Sequence, residues 1–437
     1  MPWLSLTRLR LWWWQAFWVL PVIGLVVGYV LELLIGALDN AVYGTSAWET
    51  QISTSSATSL LTAIGGGMIT FTGFVFSFIV LILQFGSTAY SPRTVSYFLR
   101  ARSTQVILAI FVMTITYCFV AMIAVGSEGR EDFTPTFTVV VALLMLLASL
   151  VGFIALLQTT GSRIRVDRVL TDLGQVATSR LPSRFPTVRR TDIVVQRPPP
   201  SEPESLAPIR YQGRSGQLVA VENRRLLRLA GRSGGYFQMT VRVGDGLLPG
   251  DTIAVISPGA RITEHAVSRC LVVSVERSLR HDPLYALRLL VDIAIKALSP
   301  AINDPTTAVR SLDEIEGVLR KAAVLPLGPV GFSDGETTVV LSPPSWEDFL
   351  ELALLEIIEC GASQPQIGRR LTALFNDLQT DLPVERRPAV DRFRLALDQA
   401  TRARVDAARL PDFEVPDRQG IGGSHAPAPT TQPDRPT

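Results

Sequence analysis

The residues best suited to polar chemistry lie between 281 and 304. They are His281, Asp282, Tyr285, Arg288, Asp292, Lys296, Ser299, Asn303 and Asp304. On a predicted helix, Arg288–Asp292 and Asp292–Lys296 are i,i+4 ion pairs on an otherwise apolar surface. This polar group has three interpretations: a solvated helix face, a buried network at a subunit contact, or a site for an anion or another ligand.

Both ends of this polar group predict helix starts. Asp282-Pro283 and Asp304-Pro305 each combine a favoured N-cap residue with proline at the first helical position. Asn303 and Asp304 also offer oxygen ligands, but far fewer than a calcium-binding loop supplies. A helix cap followed by a turn is therefore the simpler interpretation of the Asn-Asp pair.

The remaining chemistry-bearing residues are sparse. The chain of 437 residues contains three histidines and three cysteines, and none has the spacing of a zinc or iron–sulfur site. No nucleophile motif or phosphate-binding glycine loop is present either. We therefore expect no catalytic, metal or cofactor site and no enzymatic activity.

A second polar group lies inside a long apolar stretch. It consists of Gly66, Thr70, Gly73, Ser77 and Gln84, which share one face of a predicted helix. Small residues allow close helix–helix contact in a membrane, and hydroxyls bond across such contacts. The same face could instead line a pore, so packing and pore lining both stay open at this point.

The composition indicates that this apolar stretch and three others lie in a bilayer. Only 18% of the residues are charged, 47% are hydrophobic, and the net charge is +2. This balance disfavours a soluble enzyme, a nucleic-acid binder and a disordered chain. Four stretches without charge are long enough to cross a membrane, and they predict a transmembrane domain at 1–160 with spans at about 11–34, 59–85, 104–126 and 133–157.

Charge placement predicts the orientation of the spans. Basic residues precede the first span, lie between the second and third, and follow the fourth, whereas acidic residues dominate the first loop. By the positive-inside rule both termini are cytoplasmic. Glu32 is interpreted as a boundary residue, so no ionisable group is expected in the core of a span, which argues against a proton-driven transporter.

The rest of the chain is predicted to form a cytoplasmic α+β domain. Residues 161–210 predict a helical extension and a proline-rich linker, and alternating apolar residues at 211–280 predict a small antiparallel β-barrel or sandwich. Helical periodicity then dominates 281–410. Residues 411–437 lack apolar periodicity and are expected to be disordered.

Two long motifs resemble one bacterial family. TGFVFSFIVLILQFGSTAYSPRTVSYFLRARSTQ and HDPLYALRLLVDIAIKALSPAINDPTTAV are similar to segments of bacterial predicted membrane proteins grouped as domain of unknown function 2254. The resemblance implies four N-terminal spans, a cytoplasmic domain and a location in the bacterial inner membrane. It implies no established activity, so no catalytic residues can be transferred.

Two functions remain as hypotheses. The first is a homo-oligomeric, channel-like or conductance-regulating protein, with the second span along its path and the cytoplasmic domain assembling and gating it. The second is a non-transporting membrane-anchored scaffold or sensor that binds an ion or small ligand near 281–304. In both, the lipid bilayer is the surrounding partner and nucleic acid is not.

Overall fold

The chain divides into two compact units, Met1–Arg165 and Val166–Thr437. The computed structural model describes residues 18–42, 53–89, 102–127, 136–163, 165–184, 206–231, 235–259, 262–277, 279, 282–333 and 337–420. Unit Met1–Arg165 is called the membrane unit, and unit Val166–Thr437 the C-terminal unit.

The membrane unit contains four long apolar helices. They are α1 Val19–Val42, α2 Thr54–Ala89, α3 Arg102–Ser127 and α4 Thr136–Arg163. Each includes a stretch of 23 to 29 residues that is long and apolar enough to cross a membrane, which confirms the prediction of four candidate spans. Helix α1 continues to Val42, eight residues beyond the predicted end of the first span at 34.

The most extensive helix contact described in the membrane unit joins α1 to α3. A Cβ atom at Gly24 would overlap the carbonyl oxygen of Ala109, and a Cβ atom at Gly28 would overlap that of Met113. Glycine permits this close backbone approach because it has no side chain. Both pairs are 85 positions apart along the chain, so α1 and α3 run in the same direction in a fixed register.

The C-terminal unit is mostly helical. Its longer helices are α5 Val166–Arg184, α8 Pro283–Ala297, α9 Pro305–Ala323, α10 Trp346–Gly361, α11 Pro365–Asp381 and α12 Arg387–Arg404; shorter ones are α6 Asn223–Gly231, α7 Glu264–Ser268, α13 Pro411–Glu414 and the 3-10 turns Val384–Arg386 and Ala407–Arg409. Helix α8 is central, since it contacts α5, α9 and α10. Apolar residues therefore surround most of α8, and ten of its 15 residues are buried.

The strands of this unit form two small sheets. They are β1 Ala207–Arg210, β2 Gly216–Val221, β3 Gly235–Met239, β4 Gly246–Leu247, β5 Thr252–Ile256, β6 Leu271–Ser274, β7 Val330–Ser333 and β8 Thr337–Leu341. One sheet has the order β1-β5-β3-β8-β7 and the other β4-β2-β6. Leu218, Phe237 and Ile253 belong to the shared apolar core.

The sheets correct two sequence expectations. The predicted β region at 211–280 has antiparallel pairings among its own strands, but β3 also pairs in parallel with β8 from outside that region. The described strands do not close into a barrel. Strands β7 and β8 also lie within 281–410, a range for which the apolar periodicity predicted a helical domain. Strand β8 pairs with β3, and β7 pairs in turn with β8 at the edge of the sheet.

The segment 411–420 is ordered, contrary to the expected disorder from residue 411 onward. Phe413 is 4% exposed. It packs so closely against Gly368 that a Cβ atom at that glycine would overlap the Phe413 ring. Arg418 forms two hydrogen bonds with Asp377, at 3.0 and 2.8 Å. Residues 421–437 and most of the proline-rich linker lie outside the described residues.

The glycine contact between α1 and α3 predicts a position-specific effect of one methyl group. We expect Gly28→Ala to destabilise the membrane unit by about 1–3 kcal/mol, because the added carbon would overlap the backbone of α3. The free energy of unfolding in detergent measures this change. The matched control is Gly67→Ala, whose Cβ atom meets nothing within 4 Å; its gain in helix propensity makes a neutral or slightly stabilising result the expectation. Equal destabilisation by both substitutions would contradict the role of Gly28.

Candidate functional site

The predicted polar face of α2 lies opposite the face that packs against other helices of the same chain. The buried positions of α2 are Ala57, Leu61, Ile64, Met68, Val75 and Ile79. At about 100° per residue, the face that carries Gly66, Gly73 and Ser77 lies roughly 180° away from them. Thr70, Ser77 and Gln84 are accordingly exposed.

The hydroxyls of this face bond to their own helix. Thr70 Oγ1 donates to the carbonyl oxygen of Gly66 at 3.4 Å, and Ser77 Oγ donates to that of Gly73 at 3.0 Å. A Cβ atom at Gly66 or Gly73 would meet nothing within 4 Å among the described residues. Packing against helices of the same chain therefore does not explain why these positions are small.

Two carboxylic acids, Glu32 and Asp39, lie within α1, and the candidate span Val19–Ala41 includes both. Asp39 is 5% exposed and accepts hydrogen bonds from the backbone N–H groups of Phe137 and Thr138 at 2.9 and 2.8 Å, and from Thr138 Oγ1 at 2.7 Å. These donors belong to the first turn of α4, where the helix dipole also favours a negative charge. Asp39 therefore caps α4 from a neighbouring helix.

Glu32 is more deeply embedded and has different surroundings. Its side chain is 2% exposed, and no hydrogen bond to its carboxyl group is seen among the described residues. One carboxyl oxygen lies 3.3 Å from the position that a Cβ atom of Gly36 would occupy. The 85-residue register places Tyr117 of α3 opposite Glu32, and the Tyr117 hydroxyl donates to the carbonyl oxygen of Thr138 at 3.1 Å.

The polar group at 281–304 separates into local clusters in the C-terminal unit. At its N-terminal end, Asp282 caps α8 by accepting from the Tyr285 N–H at 3.1 Å. Arg277 donates to the same carboxylate at 2.9 and 2.6 Å and lies over the Tyr285 ring, 5.0 Å from its centroid. His281 lies outside the described residues.

The middle of the group connects α8 to α10. Arg288 donates to Asp292 at 2.7 Å and forms two bonds with Glu356, at 2.8 and 2.7 Å. The hydrogen-bonded Glu356 carboxylate raises the pKa of the Arg288 guanidinium above its ordinary value. The predicted i,i+4 pair of Arg288 and Asp292 is confirmed, and Lys296 is half-buried one turn further on.

The C-terminal end of the group shapes a fixed break between α8 and α9. Ser299 Oγ donates to the carbonyl oxygen of Lys296 at 2.7 Å. Asn303 adopts a φ of 49°, which asparagine tolerates better than most residues, and its side chain accepts from Gln364 at 3.1 Å. Asp304 caps α9 by accepting from the Thr307 N–H at 3.1 Å. These contacts favour the cap-and-turn interpretation.

The described residues also contain no group of three or more His, Cys, Asp or Glu side chains that could hold a metal ion. Within that part of the chain, the polar residues at 282–304 bond mainly to neighbouring protein groups. The geometry therefore favours helix capping and helix–helix fastening over a ligand site.

The chain is similar to proteins whose activity has not been characterised. Residues 14–377 match the family described as "Predicted membrane protein (DUF2254)". The chain belongs to this family. It is also 30% identical to uncharacterised proteins of Mycobacterium bovis and Mycobacterium tuberculosis, over 95% of this chain and 83% of each relative. No solved structure matches.

The structure reveals a larger ionic network that sequence spacing did not single out in this DUF2254 member. Arg370 on α11 is 3% exposed and donates to Asp313 at 2.9 Å and to Glu316 at 2.6 Å, both on α9. Its Nη1 atom is buried without a hydrogen-bond partner among the described residues. Arg320 binds the other oxygen of Glu316 at 2.6 Å. Helical spacing within α9 could have indicated the Glu316–Arg320 pair, but not the partner from α11.

Other important residues were also missed, some with a local signal and some without one. Gly24 and Gly28 form a small-xxx-small pattern that could have signalled close packing of the first span. Asp39 was assigned to a loop, and its partners in α4 lie almost 100 positions away. Glu356 and Gln364 likewise reach the 282–304 group only through tertiary packing.

The buried network makes a testable prediction for the DUF2254 protein. We expect Arg370→Leu to lower the free energy of unfolding by about 1–3 kcal/mol, because it removes the ion pairs that join α11 to α9 and leaves the buried Glu316 paired only with Arg320. Arg402→Leu is the matched control, since its i,i+4 pair with Asp398 is solvent-exposed and should change stability by less than about 1 kcal/mol. Thermal or chemical unfolding of the full chain measures both, and a similar loss for the two variants would argue against the buried network.

Proposed function

We propose that this DUF2254 member is a homo-oligomeric protein of the bacterial inner membrane with a channel-like or conductance-regulating role. In this proposal both termini are cytoplasmic, because basic residues flank the ends of the first and fourth spans. The observation that carries the proposal is the outward placement of the small and polar face of α2.

The chemistry of that face suits a second copy of the same helix. Gly66 and Gly73 leave open space beside the helix, and small residues of this kind allow backbones of separate membrane helices to approach. Thr70 and Ser77 lie on the same face, each four residues after one of these glycines, and are exposed. Large apolar side chains flank the face, and Phe74 and Phe76 are 58% and 54% exposed. In a ring of subunits, the side chains of Phe74 and Phe76 would contact neighbouring subunits, while Thr70 and Ser77 would face the axis.

A path of this kind does not need charged residues. Hydroxyl and backbone oxygen atoms can replace part of an ion's hydration shell, and α2 presents Thr70 and Ser77 at two levels, seven residues or about 10 Å apart. In this proposal the C-terminal unit assembles and gates the subunits, because its polar groups connect several of its helices into one rigid body.

Subunit counting and conductance test the proposal together. The full chain is purified in nanodiscs for single-particle imaging and reconstituted into planar bilayers for current recording. We expect a symmetric ring with α2 facing the axis and a measurable conductance. The double variant Thr70→Val with Ser77→Ala should keep the ring but change the unitary conductance several-fold, because it removes the axial hydroxyls.

Thr72→Val is the matched control for this experiment. Thr72 lies on the same helix and its hydroxyl also bonds four residues back, to Met68 at 2.7 Å, but it lies off the polar face. We expect its conductance to equal that of the wild type. A monomer, or a closely packed dimer without an axial path, would contradict the proposal.

A further inference from the structure

The membrane unit contains a carboxyl group in the interior of a candidate span. Glu32 lies 13 residues after Val19 and ten residues before Val42, the ends of α1. The candidate span Val19–Ala41 includes it. An ionised side chain at such a depth is costly and usually marks a functional group, so its environment determines in which protonation state it is held.

Helix packing closes this environment to solvent. Gly24 and Gly28 hold the backbone of α1 against Ala109 and Met113 of α3, and Glu32 follows one further helical turn along the same face. Its side chain is 2% exposed. Gly36, the next residue on this face, has no side chain and leaves room for the carboxyl group.

No basic group is available in the spans to neutralise a charge there. The ranges 19–42, 54–89, 103–125 and 136–159 contain no Lys, Arg or His. The titratable group opposite Glu32 on α3 is Tyr117, and Asp39 lies on α1 itself. The neighbouring Cys118 lies against Gly65 of α2. Helix α4, the other element packed on α1, has no titratable residue within 136–159. Among the described residues, the groups that neighbour Glu32 are therefore neutral or acidic.

Asp39 lies on the same helix as Glu32 but has different surroundings. Asp39 accepts three hydrogen bonds at the N-terminus of α4, which is a suitable environment for a carboxylate. Glu32 receives none among the described residues, and its side chain is 2% exposed. The two carboxyl groups of this helix therefore differ in their surroundings: one has three donors, and the other is buried without one.

We propose that Glu32 is a proton-binding site within the membrane unit, holding its proton at neutral pH while α1 and α3 are packed. The ligand is the proton itself: release converts the carboxylic acid to a carboxylate and transfers the proton to water. Because the packed site offers the carboxylate no compensating donor, release favours separation of α1 from α3. The contact between these helices therefore responds to pH, whether or not the protein forms a channel.

Infrared spectroscopy of the full chain in nanodiscs tests the proposal directly. We expect a carbonyl stretch of a protonated carboxylic acid at neutral pH in the wild type. The band should disappear in Glu32→Gln, which keeps the shape of the neutral side chain. It should persist in Glu351→Gln, whose side chain is exposed on α10. A wild type without this band, or a band that survives in Glu32→Gln, would overturn the proposal.

Isotope labelling keeps the test decisive if the Glu32→Gln variant does not fold. Glutamate labelled with ¹³C in its side-chain carboxyl shifts the band of a protonated Glu but leaves that of a protonated Asp39 unchanged. We expect the shift in the labelled wild type. An unshifted band would assign the proton to an aspartate and refute the role of Glu32.

Thermal melting provides an independent readout. A proton held in the folded state and released in the unfolded state makes stability fall as the pH rises. The Tm of the wild type should therefore decrease from about pH 4.3, the ordinary pKa of Glu, up through neutral pH more than the Tm of Glu32→Gln does. Parallel curves for the two proteins would contradict a proton bound at Glu32.

Discussion

The close backbone contact between α1 and α3 is the constraint on which the membrane unit depends. Two glycines, Gly24 and Gly28, remove the side chains that would separate the helices. Their spacing of one helical turn fixes the register of everything that follows on that face. Glu32 is consequently enclosed opposite Tyr117, and Asp39 reaches the first turn of α4. A steric condition on two residues thus determines the electrostatic environment of two others.

Charge is used differently in the C-terminal unit. There the Arg side chains act as fasteners between helices: Arg288 joins α8 to α10, and Arg370 joins α11 to α9. Guanidinium groups suit this use because their planar donors can bind two carboxylates at once. The apolar surface of α8 supplies the core, while these pairs specify which helices meet around it.

Much of the fold follows from local sequence patterns, and the candidate site follows only in part. Uncharged stretches predicted four spans because crossing a bilayer requires a long apolar helix. Asp282 and Asp304 were recognised as helix caps because the cap partner lies three residues away. The partners of Asp39, Arg288 and Arg370 lie tens of positions away, so spacing along the chain contains no signal for them. The first span was predicted to end at 34 because Glu32 was interpreted as a boundary residue, whereas α1 itself continues to Val42.

The parallel pairing of β3 with β8 imposes an order on biosynthesis. Strand β8 begins about a hundred residues after β3, and helices α8 and α9 lie between them in the chain. During translation, β3 therefore presents an unpaired edge until both helices and residues 337–341 have emerged from the ribosome. Closing so long a loop is slow compared with forming a helix. The central helices thus have time to pack first and to bring the last strands to the waiting sheet.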